Sequence, residues 1–241
     1  MSDQHNPEHI FAEKSRIGKL SQIRELVFGA QDGLLVPLGV ITSVAGAFNN
    51  NHFVIVAGIS EALAGAFSMG TGAYLASQAE KQVHSAEIQK EKEAIAKYPK
   101  EEKEEMALLF EREGVTKKDA LRLAEILNNH KSSFTTTMIQ KELGLDPEPV
   151  GSASQDAISI ALSYLIAAMV PLFPYFFIKG YTAIAVSIIV TLIALFIIGL
   201  LKGKFAMLPY LKSGLQVMLV GGASGIGGYL LGTLLPKLLH L

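Results

Sequence analysis

Asp32 and Glu61 stand inside stretches that are otherwise apolar enough to cross a membrane, residues 25–48 and 53–78. A charge at the bilayer core costs roughly 3 kcal/mol or more, so such residues face a partner, a cavity or an ion path. Met69 follows Glu61 by eight residues, about 12 Å further along a helix that rises 1.5 Å per residue. Two hard oxygen groups and one soft sulfur are a donor set for a transition-metal cation. Met69 alone also fits ordinary packing within a span.

A second group of potential ligands lies between residues 80 and 148, which hold 15 of the chain's 22 acidic residues interleaved with 12 basic ones. His84, Glu87 and Glu91 are spaced i, i+3, i+7, which places them on one helix face. Glu101, Glu102, Glu104 and Glu105 follow, so at least one pair shares a side whichever face is buried. Carboxylate clusters suit Fe(II), Mn(II) or Ca(II), and nearby Met106 and Met138 tilt the set toward softer metals. The same pattern also fits a solvated helix face laced with Glu/Lys pairs.

The elements that must position these groups follow from hydropathy. Half of the 241 residues are hydrophobic, mean hydropathy is +0.35, and the charges fall in a few blocks. Residues 157–241 contain no acid and only five basic residues. Five spans are expected, near 25–48, 53–78, 157–178, 181–201 and 214–235, each close to the ~20 residues that cross the hydrocarbon. Basic residues gather before span one, in the insert, and at Lys202, Lys204 and Lys212, leaving Lys179 and Lys237 opposite. That asymmetry puts the N-terminus and the insert in the cytosol.

The expected fold is all-α: an integral membrane protein with five transmembrane helices and a cytosolic helical metal-binding insert between helices two and three. Residues 1–24 are expected to form a cytosolic amphipathic N-terminal segment, a short helix on the membrane surface with Ile10, Phe11, Ile17 and Leu20 as its apolar side. Residues 25–79 carry transmembrane helices one and two, 80–155 the acidic helical domain, and 156–241 helices three to five. Within the insert, Pro99 separates two helices, Thr116 with Asp119 starts a third whose apolar positions are Ala120, Leu123, Ile126 and Leu127, and Phe134–Leu143 forms a fourth, ended by Gly144.

Other motifs carry less. Pro37 removes a backbone hydrogen bond five residues after Asp32, which either exposes carbonyls beside the acid or is a tolerated kink. Small residues at Gly58, Ala62, Gly65, Ser68, Gly70 and Gly72, and the pairs Gly221/Gly225 and Gly228/Gly232, suit close helix packing; Gln216 is a candidate for a bond between helices. Gly222 to Gly227 echoes a dinucleotide-binding turn but lies in an apolar span with no acid downstream, which excludes that chemistry. His52, His130 and His240 are isolated, and the absence of cysteine excludes thiolate sites.

The string Asp32-Gly33-Leu34-Leu35-Val36-Pro37, then Glu61-Ala62, Gly65-Ala66-Phe67-Ser68-Met69 and Gly72-Ala73-Tyr74-Leu75-Ala76-Ser77-Gln78, resembles the vacuolar iron transporter family. Five spans, an acidic insert after span two, and Pro171 and Pro174 in span three match that family's layout over nearly the whole chain. The resemblance implies a homodimer that exchanges Fe(II), and often Mn(II), for protons, moving metal out of the cytosol. It assigns Asp32, Glu61 and Met69 to the translocation path at the dimer interface, and Glu91, Glu102, Glu105, Met138 and Glu142 to metal binding in the insert. Two positions depart from the pattern. Ala73 stands where many members have glutamate, and Ala94 where another is expected, with Glu93 or Glu87 as the available substitutes.

With the resemblance, these readings lead to the expectation of a membrane transporter that exports Fe(II), with Mn(II) as a further candidate, from the cytosol in exchange for protons. Its partners are divalent ions, protons, the lipid bilayer and a second copy of the chain, with no nucleic acid and no tightly bound cofactor. A prokaryotic plasma membrane is the simplest location, and an internal vacuolar membrane is compatible. The alternative is a membrane-anchored metal sensor or scaffold that transports nothing. An enzyme is not expected, since no nucleophile, base and orienting group converge by spacing.

Overall fold

A computed structural model describes residues 7–48, 50–146 and 152–238, with the side chains of 7–22, 235 and 236 left aside. Among the described residues there is no strand. Eight α-helices run α1 Pro7–Ala47, α2 Asn51–Lys97, α3 Pro99–Arg112, α4 Lys117–Asn128, α5 Lys131–Glu142, α6 Ala153–Leu172, α7 Tyr181–Phe205 and α8 Tyr210–Leu238. The chain divides into two compact units, residues 1–75 with 152–241, and residues 76–151.

The first unit holds five segments long and apolar enough to cross a membrane, on α1, α2, α6 with its following 3₁₀ turn, α7 and α8. Their outer faces are apolar and open, as at Phe67, Ile166, Phe177 and Leu219, an exposure that lipid rather than water accommodates. Inward, small residues allow backbone to meet backbone. A Cβ on Gly228 would fall on the Gly39 carbonyl and one on Gly232 on the Ser43 carbonyl, so α8 lies directly on α1. The Gly221 position meets Leu195 and that of Gly199 meets Gly214, which closes α7 on α8. Thr42 Oγ1 donates to the Gly225 carbonyl at 3.1 Å and Ser224 Oγ to the Leu35 carbonyl at 3.1 Å, hydrogen bonds between helices with no water to replace them.

Local chemistry sets the helix ends. Pro171 and Pro174 bring α6 to a close in a 3₁₀ turn, Phe173–Phe176, and Asn51 Nδ2 at the head of α2 donates to the freed carbonyls of Tyr175 and Ile178 at 2.7 and 2.5 Å. Gly180, at φ +66°, turns the chain into α7. Pro37 sits fully buried inside α1, which continues through it.

Several boundaries differ from expectation. The N-terminal segment is no separate helix, because α1 runs unbroken from Pro7; its expected apolar side and His240 lie outside the described side chains. Likewise the first helix of the insert is the continuation of span two, since nothing between Gln78 and Glu80 breaks a helix and the first proline stands at 99. Gln216 is exposed.

The second unit packs the tail of α2 with α3, α4 and α5 around Met106, Ala107, Ala120, Ala124, Phe134 and Met138. Thr116 Oγ1 accepts from the Asp119 backbone N–H, the expected cap. On α4 the buried stripe is Ala120 and Ala124 with Leu127 beside them, while Leu123 and Ile126 are exposed: small alanines let α4 seat closely, and the larger side chains are left outside. Lys141 pairs with Glu113 at 2.5 Å and lies 4.7 Å over the Phe110 ring, tying α5 to α3.

Candidate metal sites in the spans and the insert

Within the first unit, Glu61 is half-buried on α2 and receives a hydrogen bond from the Tyr164 hydroxyl on α6. Its other carboxylate oxygen is buried without a hydrogen-bond partner. An ionised oxygen in that position requires a cation or a proton. Met69, two turns further along α2, packs in the same cluster as Tyr164, Ala62, Ala66 and Ala168. Asp32 is half-buried on α1, and the next residue, Gly33, presses on the Tyr164 backbone so closely that a Cβ there would strike its carbonyl. The structure thus brings Glu61 and Met69 to one tyrosine and seats Asp32 on α1 next to Gly33, the residue that presses on that tyrosine's backbone.

Tyr164 is the residue that sequence reasoning missed. Its signal was a hydroxyl in the middle of span three, which in an apolar setting must find an acceptor. Gly65 makes the seat, because a Cβ there would collide with the Tyr164 hydroxyl and ring. Gly58 and Gly70 likewise admit Leu172 and Ala161, whereas Gly72 faces open space. Tyr164→Phe removes the donor that orients Glu61 and should slow metal transport about tenfold, and Gly65→Ala should act in the same direction by displacing the ring. Initial-rate uptake by the two variants checks this; an unchanged rate in both would remove Tyr164 from the site.

In the second unit, Glu91 from α2, Glu102 from α3 and Glu142 from α5 each bring one carboxylate oxygen within 4.8 Å of the others. Glu91 and Glu102 are buried, and each has an oxygen without a partner. Glu105 is exposed but close enough to act electrostatically on all three. Glu87 does not join them: its carboxylate pairs with Lys90 at 2.6 Å, and the three helices converge one turn further on, at Glu91. Glu93 accepts from Gln89 on the exposed side, so neither residue fills the place of Ala94. Met138 is fully buried beside Met106 in the core of the unit, one turn before Glu142.

Three carboxylates this close repel one another, and burial adds to the cost of their charge. Burial first, then the charges of Glu142 and Glu102, push the Glu91 carboxyl up to about 7, and it shares a hydrogen bond with Glu142. Glu102 and Glu142 are also raised, again chiefly by burial and then by Glu105. A carboxyl group raised in the folded state stabilises the metal-free insert at low pH, and that stability is lost as pH climbs from the ordinary carboxylate range through about 7. A divalent cation reverses the balance by favouring the ionised forms. Mn(II) should therefore protect α3 and α5 from hydrogen exchange more at pH 7.5 than at pH 5.5, with proton release on binding. Equal protection at both pH values would contradict this.

Residues 23–233 match the family model described as the VIT family. This chain belongs to the VIT family. Curated relatives include Vacuolar iron transporter 1 of Eucalyptus grandis, 34% identical and covering 94% of this chain and 89% of the relative. Vacuolar iron transporter 1 of Arabidopsis thaliana is 31% identical over 95% of this chain and 89% of its own length. A Vacuolar iron transporter of Plasmodium berghei is 34% identical over 88% and 82%. This VIT-family chain is accordingly all-helical and a multi-pass integral membrane protein, and the matched region spans both groups of carboxylates.

Proposed function

We propose that this chain carries Fe(II), with Mn(II) as a second cargo, out of the cytosol in exchange for protons. The observation that carries the reading is Glu61, a carboxylate in an apolar span with one oxygen held by Tyr164 and the other buried and unpartnered. Family membership and the iron transporters among its relatives support it. In the proposed cycle the insert faces the cytosol and collects the ion on Glu91, Glu102 and Glu142, assisted by Glu105 and Met138. The ion then passes to Asp32 and Glu61, where metal and proton exclude each other, and the Met69 sulfur disfavours Mg(II) and Ca(II), which prefer oxygen. Protons from the far side reload the acids.

The working form is a homodimer, a reading favoured by the exposed Ser60 and Ser68 on the outer face of α2, polar groups better placed against protein than against lipid. A sensor or scaffold has no use for carboxylates that raise the cost of insertion. The test is metal uptake into sealed proteoliposomes, with and without an imposed pH gradient, for Fe(II) and Mn(II) in parallel. The proposal expects uptake accelerated by an acidic lumen. Well-folded protein that binds metal but admits none would favour the sensor.

A further inference from the structure

Asn51, Val54, Gly58 and Glu61 of α2 are spaced i, i+3, i+7 and i+10, so they share one face of the helix over about 15 Å. Tyr164, Ala168 and Leu172 of α6, followed by Tyr175 in the 3₁₀ turn, form the face opposite. The two faces meet level by level. Tyr164 donates to Glu61, a Cβ on Gly58 would strike the Leu172 and Ile41 side chains, and Asn51 Nδ2 donates to the Tyr175 carbonyl at 2.7 Å. One seam therefore runs from Glu61 to the end of the spans where α2 begins. There it opens into a cavity of about 250 Å3 between the last turn of α1 and the heads of α2 and α7. Asn50, Asn51 and Tyr181 line it, and α1 ends beside it in carbonyls that the helix leaves without donors, so water finds several partners. The inner wall is apolar: Val54, Tyr175 and Ile184 belong to one buried cluster with Ile41 and Leu172.

We propose that this seam is the aqueous route by which the far side reaches Glu61, closed in this structure by Ile41 and Leu172. The inference rests on the reading of Glu61 as a transport acid. Ile41 and Leu172 are fully buried and interlock over Gly58, one turn of α2 away from Glu61, and a layer of two aliphatic side chains is enough to exclude water. On the Glu61 side of that layer the seam is lined by the small residues Ala62 and Ala168. Gly58 makes the closure possible, because any side chain there would hold Leu172 and Ile41 apart. Pro171 and Pro174 flank Leu172, so the segment that carries it lacks a full hydrogen-bond ladder and can move at low cost. Tyr175 borders both the cavity and the layer, and its hydroxyl is buried without a hydrogen-bond partner, a group that entering water would serve. No acidic residue lines the cavity, so the route supplies water and protons rather than a second metal site. It lies between α1, α2 and α6 of a single chain and needs no residue from a second copy.

The test is the decay of an imposed pH gradient across sealed proteoliposomes of the full-length protein with no metal present. The wild type should hold the gradient, and Leu172→Ala should speed its decay about fivefold or more, because the gap admits a chain of water to Glu61. Ile41→Ala removes the other half of the layer from a different helix and should leak as well, so either variant decides the matter if the other misfolds. Leu195→Ala opens a similar gap in a buried cluster away from the seam and should hold the gradient. Adding Glu61→Leu to a leaking variant places apolar bulk at the end of the route and should close it. No leak from well-folded Leu172→Ala and Ile41→Ala proteins, an equal leak from Leu195→Ala, or a leak that Glu61→Leu leaves untouched would overturn the route. Metal is absent from the assay, so the route can fail while metal uptake stands, and uptake can fail while the leak is seen.

Discussion

Glu61→Gln should reduce metal transport by about a hundredfold or more while leaving the protein folded. Glutamine keeps the shape of the side chain and still offers an oxygen to the Tyr164 hydroxyl, so the packing of α2 on α6 is preserved. What changes is the second position, where a buried, unpartnered carboxylate oxygen becomes an amide N–H2. That substitution removes a negative charge and places donors where a cation would be held. Loss of a ligand exceeds the 10- to 100-fold cost typical of removing a mere supporting group. Asp32→Asn should behave alike, since Asp32 borders the same tyrosine from α1. Uptake assays on variants checked for monodisperse elution and unchanged thermal stability decide the matter, and transport above a tenth of wild type in both would exclude these acids from the path.

The second large effect belongs to the insert. Glu91→Gln with Glu102→Gln removes the two buried members of the triad and leaves only exposed Glu142. Apparent metal affinity should fall about a hundredfold, whereas the maximal rate at saturating metal should change less than threefold, because the acids within the spans are untouched. The metal-free insert should gain stability near neutral pH, since two carboxylates whose protonation is favoured by burial are replaced by groups that never ionise. Glu87→Gln serves as the contrast. Its carboxylate already pairs with Lys90, so its loss should be nearly silent. Complete loss of transport with unchanged metal binding would contradict a capture role.

What could be read from the chain, and what could not, divides along physical lines. An acid in an apolar stretch advertises itself through its insertion cost, so Asp32 and Glu61 are legible from composition alone. The five spans are legible for the same reason. Hydropathy marks where a helix enters lipid and not where it ends, which is why α1 and α2 extend beyond their spans with no break that a pattern would reveal. In the insert, periodicity puts Glu87 and Glu91 on one face but is silent on which turn α3 and α5 meet. Only packing distinguishes the residue that joins the triad from the one that pairs with a lysine. Tyr164 is the sharpest case: its role depends on Gly65 leaving room for its ring and on Gly33 letting α1 approach, contacts between residues about 100 or more apart in sequence.

The central claim is that proton and metal exclude each other at the carboxylates within the spans. It is tested most directly by driving protons with metal. Proteoliposomes at equal pH on both sides are given an inward Fe(II) gradient while lumenal pH and lumenal iron are recorded together. The account predicts that the lumen becomes alkaline in proportion to the iron that enters, and that Glu61→Gln abolishes both signals at once. Iron entry with no pH change, or a pH change that persists in Glu61→Gln, would contradict it.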